Sequence, residues 1–200
     1  MKDAVIYIHG KGGSAEEAEH YQSAFKDYDM IGFDYRAQTP WEAEKEFPAF
    51  FDTAAENHRS VTVVANSIGA FFTMCTLSDK NIKRAFFISP IVDMERLIVN
   101  MMKWAGVTEK ELIEFGEIET SFGETLSWEY LCYVRKHPIK WDIPTEILYG
   151  GNDSLTSLDT VTGFAERTGA GLTVMQSGEH WFHTEEQLNF MTKWLAASIC

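Results

Sequence analysis

An α/β fold is predicted for this chain, built on a mostly parallel six-stranded sheet with helices on both faces. Three observations carry that expectation. Short apolar runs rich in Val and Ile alternate with longer segments at helical spacing. The runs are continuously apolar, as strands buried on both faces are. The 200 residues, 45 % hydrophobic and 24 % charged, suit one ordinary globular domain, 1–200.

Taken in order, Ala4 to His9 (AVIYIH) reads as the first strand. A helix is expected over Ser14 to Phe25, with Ser14 and Glu17 spaced as a capping box. Met30 to Tyr35 is the second strand. Thr39-Pro40-Trp41-Glu42 is another capping box, with proline at the first helical position, opening a helix to about Asn57. Val61 to Ala65 is the third strand, and a helix runs from Ser67 to about Leu77. Arg84 to Ser89, Glu146 to Tyr149 and Leu172 to Gln176 complete the six strands. Helices are expected near Leu158 to Arg167 and from a Thr184/Gln187 cap to about Ser198. In such a sheet the crossovers are right-handed, and ligands bind outside the carboxyl ends of the strands.

The alternation breaks over 91–144. Met94, Leu97, Ile98, Met101 and Met102 fall at helical spacing, Gly106 can end that helix, and Thr108 with Glu111 can cap the next. A third helix is expected from Ser127, with Trp128, Leu131 and Cys132 on one side. The segment is too long for a simple crossover and is expected to form an inserted helical cap over the strand ends. Glu109, Glu111, Glu114, Glu117, Glu119 and Glu124 are expected to form a solvated acidic face.

The net charge of −13 is the reverse of a nucleic-acid footprint and disfavours anionic membranes. No apolar run approaches the roughly 20 residues of a membrane helix. Met1-Lys2-Asp3 leads straight into the first strand, so no export signal is expected. Cys75, Cys132 and Cys200 are odd in number and lack short metal-ligand spacing, which points to a reducing, cytoplasmic setting and to no metal site. No cofactor is expected either. His9-Gly10-Lys11-Gly12-Gly13-Ser14 follows the first strand, but it fits neither the phosphate-loop pattern nor the dinucleotide glycine fingerprint.

The chemistry-bearing residues stand just after strands. Ala65-Asn66-Ser67-Ile68-Gly69 has the small-x-Ser-x-Gly form between a buried strand and a helix. There a serine on a sharp turn needs small neighbours two places either side, and its hydroxyl projects above the sheet. The helix that follows aims its amides at the same place. Asp153 follows the fifth strand in ILYGGND, and His180 follows the sixth in SGEHWFH. Asp93 after the fourth strand is a second candidate acid, and His183 a second candidate base. The glycine loop after the first strand can turn backbone N–H groups toward a ligand. His9 is expected to pack or hydrogen-bond within that loop.

With Ser, Asp and His in that chain order, and with the motifs IYIHGKGGS, ANSIG, ILYGGND and GEHWFH, the chain resembles the α/β-hydrolase fold family from Val5 to the last helix. Two features depart from that family. Alanine opens the elbow in place of glycine, and the first strand corresponds to the family's third, so a version lacking the N-terminal strands is expected. The resemblance implies acyl transfer to water, with Ser67 as nucleophile, His180 as general base and acid, and Asp153 as its orienting carboxylate. It implies an oxyanion hole from the Lys11 and Ile68 amides. The implied substrate is a small to medium carboxylic ester, cleaved through an acyl-enzyme. The alternatives are a thioesterase, peptidase or acyltransferase with the same triad, or a non-catalytic binding protein of the same fold. Trp104, Trp128, Tyr130 and Tyr133 in the cap, with Trp181 beside His180, are the expected substrate-pocket residues. Asp34 and Arg36 can blunt the exposed edge near the second strand, so a monomer or weak homodimer is expected.

Overall fold

The computed structural model describes residues 1–199. Cys200, counted among the cysteines above, lies outside the described residues. The chain divides into two compact units, one formed by Met1–Val92 with the chain from Lys140 onward and the other by Asp93–Ile139.

The larger unit carries strands β1 (Asp3–Ile8), β2 (Tyr28–Phe33), β3 (Val61–Asn66), β4 (Ile82–Ile88), β7 (Thr145–Gly150) and β8 (Gly171–Met175). They form one sheet in the order β2-β1-β3-β4-β7-β8, with every neighbouring pair parallel. The helices of this unit are α1 (Pro40–Asn57), α2 (Ile68–Thr76), α6 (Leu158–Thr168) and α7 (Glu185–Ile199). After β1 the chain moves to the β2 edge, and after β3 it moves the opposite way. The carboxyl ends of β1 and β3 therefore flank the point where the strand order reverses, the place where such sheets leave a crevice.

Period-2 alternation divides the strand side chains between two faces. Val5, Tyr7, Val64, Phe86, Ile88 and Leu148 pack in one apolar cluster with Ala18, Tyr21 and Phe25 and with Met191, Trp194 and Leu195 of α7. On the opposite face Phe33 meets Phe47 of α1 at 4.9 Å, and Phe47 meets Phe72 of α2 at 6.0 Å, both edge to face. The amino end of β1 is clamped by charge. Asp3 accepts two bonds from the Arg59 guanidinium (2.8 and 2.7 Å) and one from the Ser60 hydroxyl (2.8 Å).

Two sequence expectations are corrected here. The stretch expected as a helix from Ser14 to Phe25 is a 3₁₀ segment over Ala15–Tyr21, followed by further turns with i→i+3 bonds such as Phe25 N–H to Gln22 O (3.3 Å). The buried Ala18 and Tyr21 stand three apart, a spacing that a 3₁₀ turn eclipses onto one face. Ser14 makes no side-chain cap, and the Glu17 carboxylate is engaged elsewhere. The other boxes form as spaced, at Thr39/Glu42, Thr108/Glu111 and Thr184/Gln187.

The smaller unit holds α3 (Met94–Ala105), α4 (Glu109–Phe115), the strands β5 (Glu117–Glu119) and β6 (Thr125–Ser127) and α5 (Trp128–Lys136). The β5–β6 hairpin was not expected, because three-residue strands carry too little alternation to read. The expected acidic face is exposed at Glu109, Glu111, Glu114, Glu117 and Glu119, and two of these also have partners. Arg135 forks onto Glu109 (2.8 and 2.9 Å) and reaches Glu95 (2.8 Å), joining α5 to α4 and α3, while Glu111 caps α4. Among the described residues no helix is long and apolar enough to cross a membrane.

The Arg59 fork holds the Asp3 carboxyl well below the usual carboxylate range. A carboxyl whose folded value is depressed adds stability that is present above its unfolded value and is lost as pH falls toward the folded one. Asp3→Asn should therefore lower Tm by a constant amount above about pH 5, with the gap to wild type closing below about pH 4. Thermal melts across that range check this.

Candidate active site

β3 is buried along VTVVA and ends at Asn66, and the chain then turns directly into α2. Ser67 makes that turn at φ 49°, ψ −118°, a backbone region costly for a residue with a Cβ, on the order of 1–3 kcal/mol. Its peptide groups are pinned on both sides. Ser67 N–H donates to Ile88 O (3.0 Å), and Ser67 O accepts from Ile91 N–H and Ala70 N–H (both 3.2 Å). Gly69 lets α2 press onto the end of β1. A Cβ there would stand 2.4 Å from His9 O and 2.9 Å from Ile8 O. Alanine suffices at the other small position, where Ala65 is fully buried.

The loops after β7 and β8 bring Asp153 and His180 to Ser67. They meet backbone to backbone: a Cβ on Gly150 would lie 2.4 Å from Glu179 O. Gly151 N–H donates to Met175 O and Asn152 N–H to Gly178 O, both at 2.8 Å. Asp153 Oδ1 accepts from the Leu155 and Thr156 amides (2.8 and 3.1 Å), which leaves Oδ2 for His180 Nδ1 at 2.6 Å. The Asp153 side chain is wholly buried, and that of His180 is 18 % exposed. An ionised carboxylate can only accept, so Nδ1 carries the proton. The Nε2 lone pair then faces Ser67 Oγ at 2.8 Å and accepts a hydrogen bond from its hydroxyl. Tyr149, whose hydroxyl donates to Thr156 O (2.7 Å), ties the acid loop to β7. Burial, and then the Asp153 charge, push that phenol up.

The loop after β1 passes against the same serine, since a Cβ on Gly10 would stand 3.3 Å from Ser67 Cβ. Gly13 N–H donates to Gly10 O (3.1 Å), closing a turn that carries Lys11. His9 shapes the loop from below. Its Nδ1 lies 2.8 Å from Gly10 O, its ring stacks on Tyr35 at 4.2 Å, and its carbonyl accepts from the Tyr35 hydroxyl (2.8 Å). Ile68 is the first residue of α2.

Ser67, Asp153 and His180 are thus brought within hydrogen-bond distance of one another in sequence, and the loop bearing Lys11 and the start of α2 flank the serine. The second candidates stand elsewhere. Asp93 Oδ1 caps α3 through Arg96 N–H (2.9 Å), and His183 stacks on Trp181 (4.5 Å) with its Nδ1 against Trp181 O. Trp181 is 71 % exposed. Trp104, Trp128, Tyr130 and Tyr133 belong to the smaller unit. Within it Trp104 meets Phe122 (6.3 Å), Trp128 lies under the Arg135 guanidinium (6.0 Å) and Tyr133 stacks on His137 (4.1 Å). Among the described residues no group of three or more His, Cys, Asp or Glu could hold a metal ion.

Sequence reasoning missed Tyr35, Tyr7, Tyr21 and Asn66 as members of the site's framework. The available signals were an amide ending an otherwise apolar strand and a tyrosine two residues before the His-Gly pair. Glycine adopts the Ser67 backbone geometry without the strain that the alanine Cβ shares with serine, so Ser67→Gly should be more stable than Ser67→Ala by about 1 kcal/mol. Chemical denaturation of the two variants checks this, and equal midpoints would show that the turn stores no strain.

No family model matches the sequence, and no curated protein matches it. Solved structures do. Est1E from Butyrivibrio proteoclasticus superposes with a TM-score of 0.78 at 18 % identity, over 99 % of this chain and 87 % of that one. The α/β-hydrolase domain-containing protein 10 from mouse superposes with a TM-score of 0.78 at 15 % identity, over 98 % and 89 %. An esterase from Pyrococcus furiosus gives 0.63 at 21 % identity, over 98 % and 81 %. With its parallel six-stranded sheet and this agreement over nearly the whole length, the chain has the α/β-hydrolase fold.

Proposed function

We propose that this protein is a serine hydrolase that cleaves small to medium carboxylic esters through an acyl-enzyme. The observation that carries the reading is the unbroken line from the Asp153 carboxylate through the His180 ring to the Ser67 hydroxyl, at 2.6 and 2.8 Å, on a backbone held in a strained turn. A serine needs an adjacent base with a free lone pair, and a base needs a partner that fixes its tautomer. Strain at a turn with no other use is itself a mark of function.

In this reading Ser67 Oγ attacks the ester carbonyl carbon as its proton passes to His180 Nε2. The imidazolium so formed is stabilised by Asp153 and gives the proton to the leaving alkoxide, which departs as the alcohol. Water then attacks the acyl carbon, its proton passes to Nε2, and collapse of the second tetrahedral intermediate returns a proton to Ser67 and releases the acid. The Lys11 and Ile68 amides are assigned to the oxyanion, and the dipole of α2 adds to them. The preference for an ester over a thioester or amide draws support from the Pyrococcus furiosus esterase among the structural neighbours.

A fluorophosphonate should add one adduct to the wild-type protein by intact mass and none to Ser67→Ala. Ester turnover by Ser67→Ala should fall by roughly 10⁵- to 10⁶-fold, and by Asp153→Asn by about 10⁴-fold through the wrong tautomer. Parallel assays of esters, thioesters and peptide amides separate the alternatives. Turnover of the amide alone would remove the ester assignment, and a folded wild type that takes no adduct would leave a binding protein.

A further inference from the structure

Asn66, the residue before the nucleophile, ends an apolar strand with a carboxamide, a group costly to bury without partners. Its side chain lies on the face of β3 that packs with Tyr7 and Tyr21. Asn66 Nδ2 donates to the Tyr7 hydroxyl (2.9 Å) and to the Tyr21 hydroxyl (3.1 Å), and Asn66 Oδ1 accepts from the Tyr21 hydroxyl (3.3 Å). The two phenol rings stack at 4.8 Å. The Tyr7 hydroxyl in turn donates to Glu17 Oε2 at 2.5 Å. Burial above all, then the neighbouring Tyr21 hydroxyl and Glu17 carboxylate, raise the Tyr7 phenol far beyond any working pH, so it stays a donor.

The direction of this chain is set from one end. A carboxylate only accepts, so the single Tyr7 proton goes to Glu17 and the Tyr7 oxygen is left to accept. Only the amide nitrogen of Asn66 can then face Tyr7. A flipped amide would oppose two oxygens with no proton between them. Glu17 also lies against the loop that carries Lys11, since a Cβ on Gly13 would stand 2.9 and 3.0 Å from its two oxygens. One carboxylate therefore touches the glycine loop and, through one hydroxyl, the residue that leads into the strained Ser67.

We infer that Glu17 is a positioning residue for the nucleophile: through the Tyr7 hydroxyl it sets the orientation of the Asn66 amide, and Asn66 holds the backbone that aims Ser67. The inference rests on the serine-hydrolase reading above. Glu17 touches no reacting atom, so its loss acts on the placement of Oγ. Misplacement of a nucleophile lowers turnover without altering how substrate is held.

The test compares wild type, Glu17→Gln, Tyr7→Phe and the double variant by fluorophosphonate labelling rate, by kcat and KM per titrated site with a p-nitrophenyl ester, and by Tm. Glu17→Gln keeps the shape but lets the chain run in either direction. Tyr7→Phe removes the bridge and leaves the carboxylate unpaired. Each single variant should label roughly tenfold more slowly, with kcat reduced alike and KM within about twofold of wild type. The double variant should recover Tm relative to Tyr7→Phe, because no carboxylate is then stranded, yet remain as slow as Tyr7→Phe. Folded variants that label at the wild-type rate, or a double variant whose kcat recovers along with its Tm, would overturn the positioning role and leave the hydrolase reading intact. Glu17→Gln decides alone where Tyr7→Phe does not fold. A folded wild type that takes no label overturns the hydrolase reading and the positioning role with it.

Discussion

Ser67 occupies a backbone conformation that its own Cβ disfavours, and much of the larger unit is arranged to keep it there. Its amide is bonded to the end of β4, its carbonyl to Ile91 beyond β4, and α2 begins at the next residue. The turn cannot relax without breaking bonds to a neighbouring strand end. A relaxed turn would draw the hydroxyl away from the His180 lone pair. Local strain at Ser67 is thus held by ordinary hydrogen bonding to a neighbouring strand end, a force spread over several residues.

The sheet order supplies the rest. Because β1 and β3 are neighbours whose outgoing chains leave in opposite directions, the glycine loop and the serine turn face one another across the reversal. Two contacts in which backbone takes the place of side chain make this close. One is α2 on the end of β1 at Gly69, and the other is the acid loop on the base loop at Gly150. At both, a methyl group would collide with a backbone carbonyl oxygen of the facing segment. Glycine there is a requirement of distance between main chains. Alanine at position 65, where the family resemblance led one to look for glycine, meets no such limit.

The inner strands β1, β3, β4 and β7 were legible because they are largely buried on both faces, and continuous apolar runs have few other readings. The edge strands β2 and β8 are only partly buried but keep enough of the pattern. Each of the six begins within two residues of where the apolar pattern places it. The capping boxes were legible where nothing competed for the N3 side chain. Glu17 shows the limit of that signal. Its spacing from Ser14 is that of a box, but a buried phenol ten residues away takes the carboxylate, and the segment winds as a 3₁₀ turn that stacks Ala18 over Tyr21. In the smaller unit Arg135 likewise draws Glu95 and Glu109 from forty and twenty-six residues away, pairings that no local spacing announces.

By itself the sequence placed, to within two residues, the six strands of the main sheet and most of the helix starts, and with them Ser67, Asp153 and His180 at carboxyl ends of one sheet. Periodicity and caps are local, and local pattern carries that much. Only the tertiary structure decided which nitrogen meets which oxygen. It set Oδ2 of Asp153 free for His180 by turning Oδ1 onto two amides, and it laid the His180 ring against Ser67 and the His183 ring on Trp181. It also joined Asn66 to Tyr21 across forty-five residues and to Tyr7 across fifty-nine. Hydrogen bonds are directional over a few tenths of an ångström, and no pattern along a chain specifies the distance between groups that approach only when the sheet closes around them.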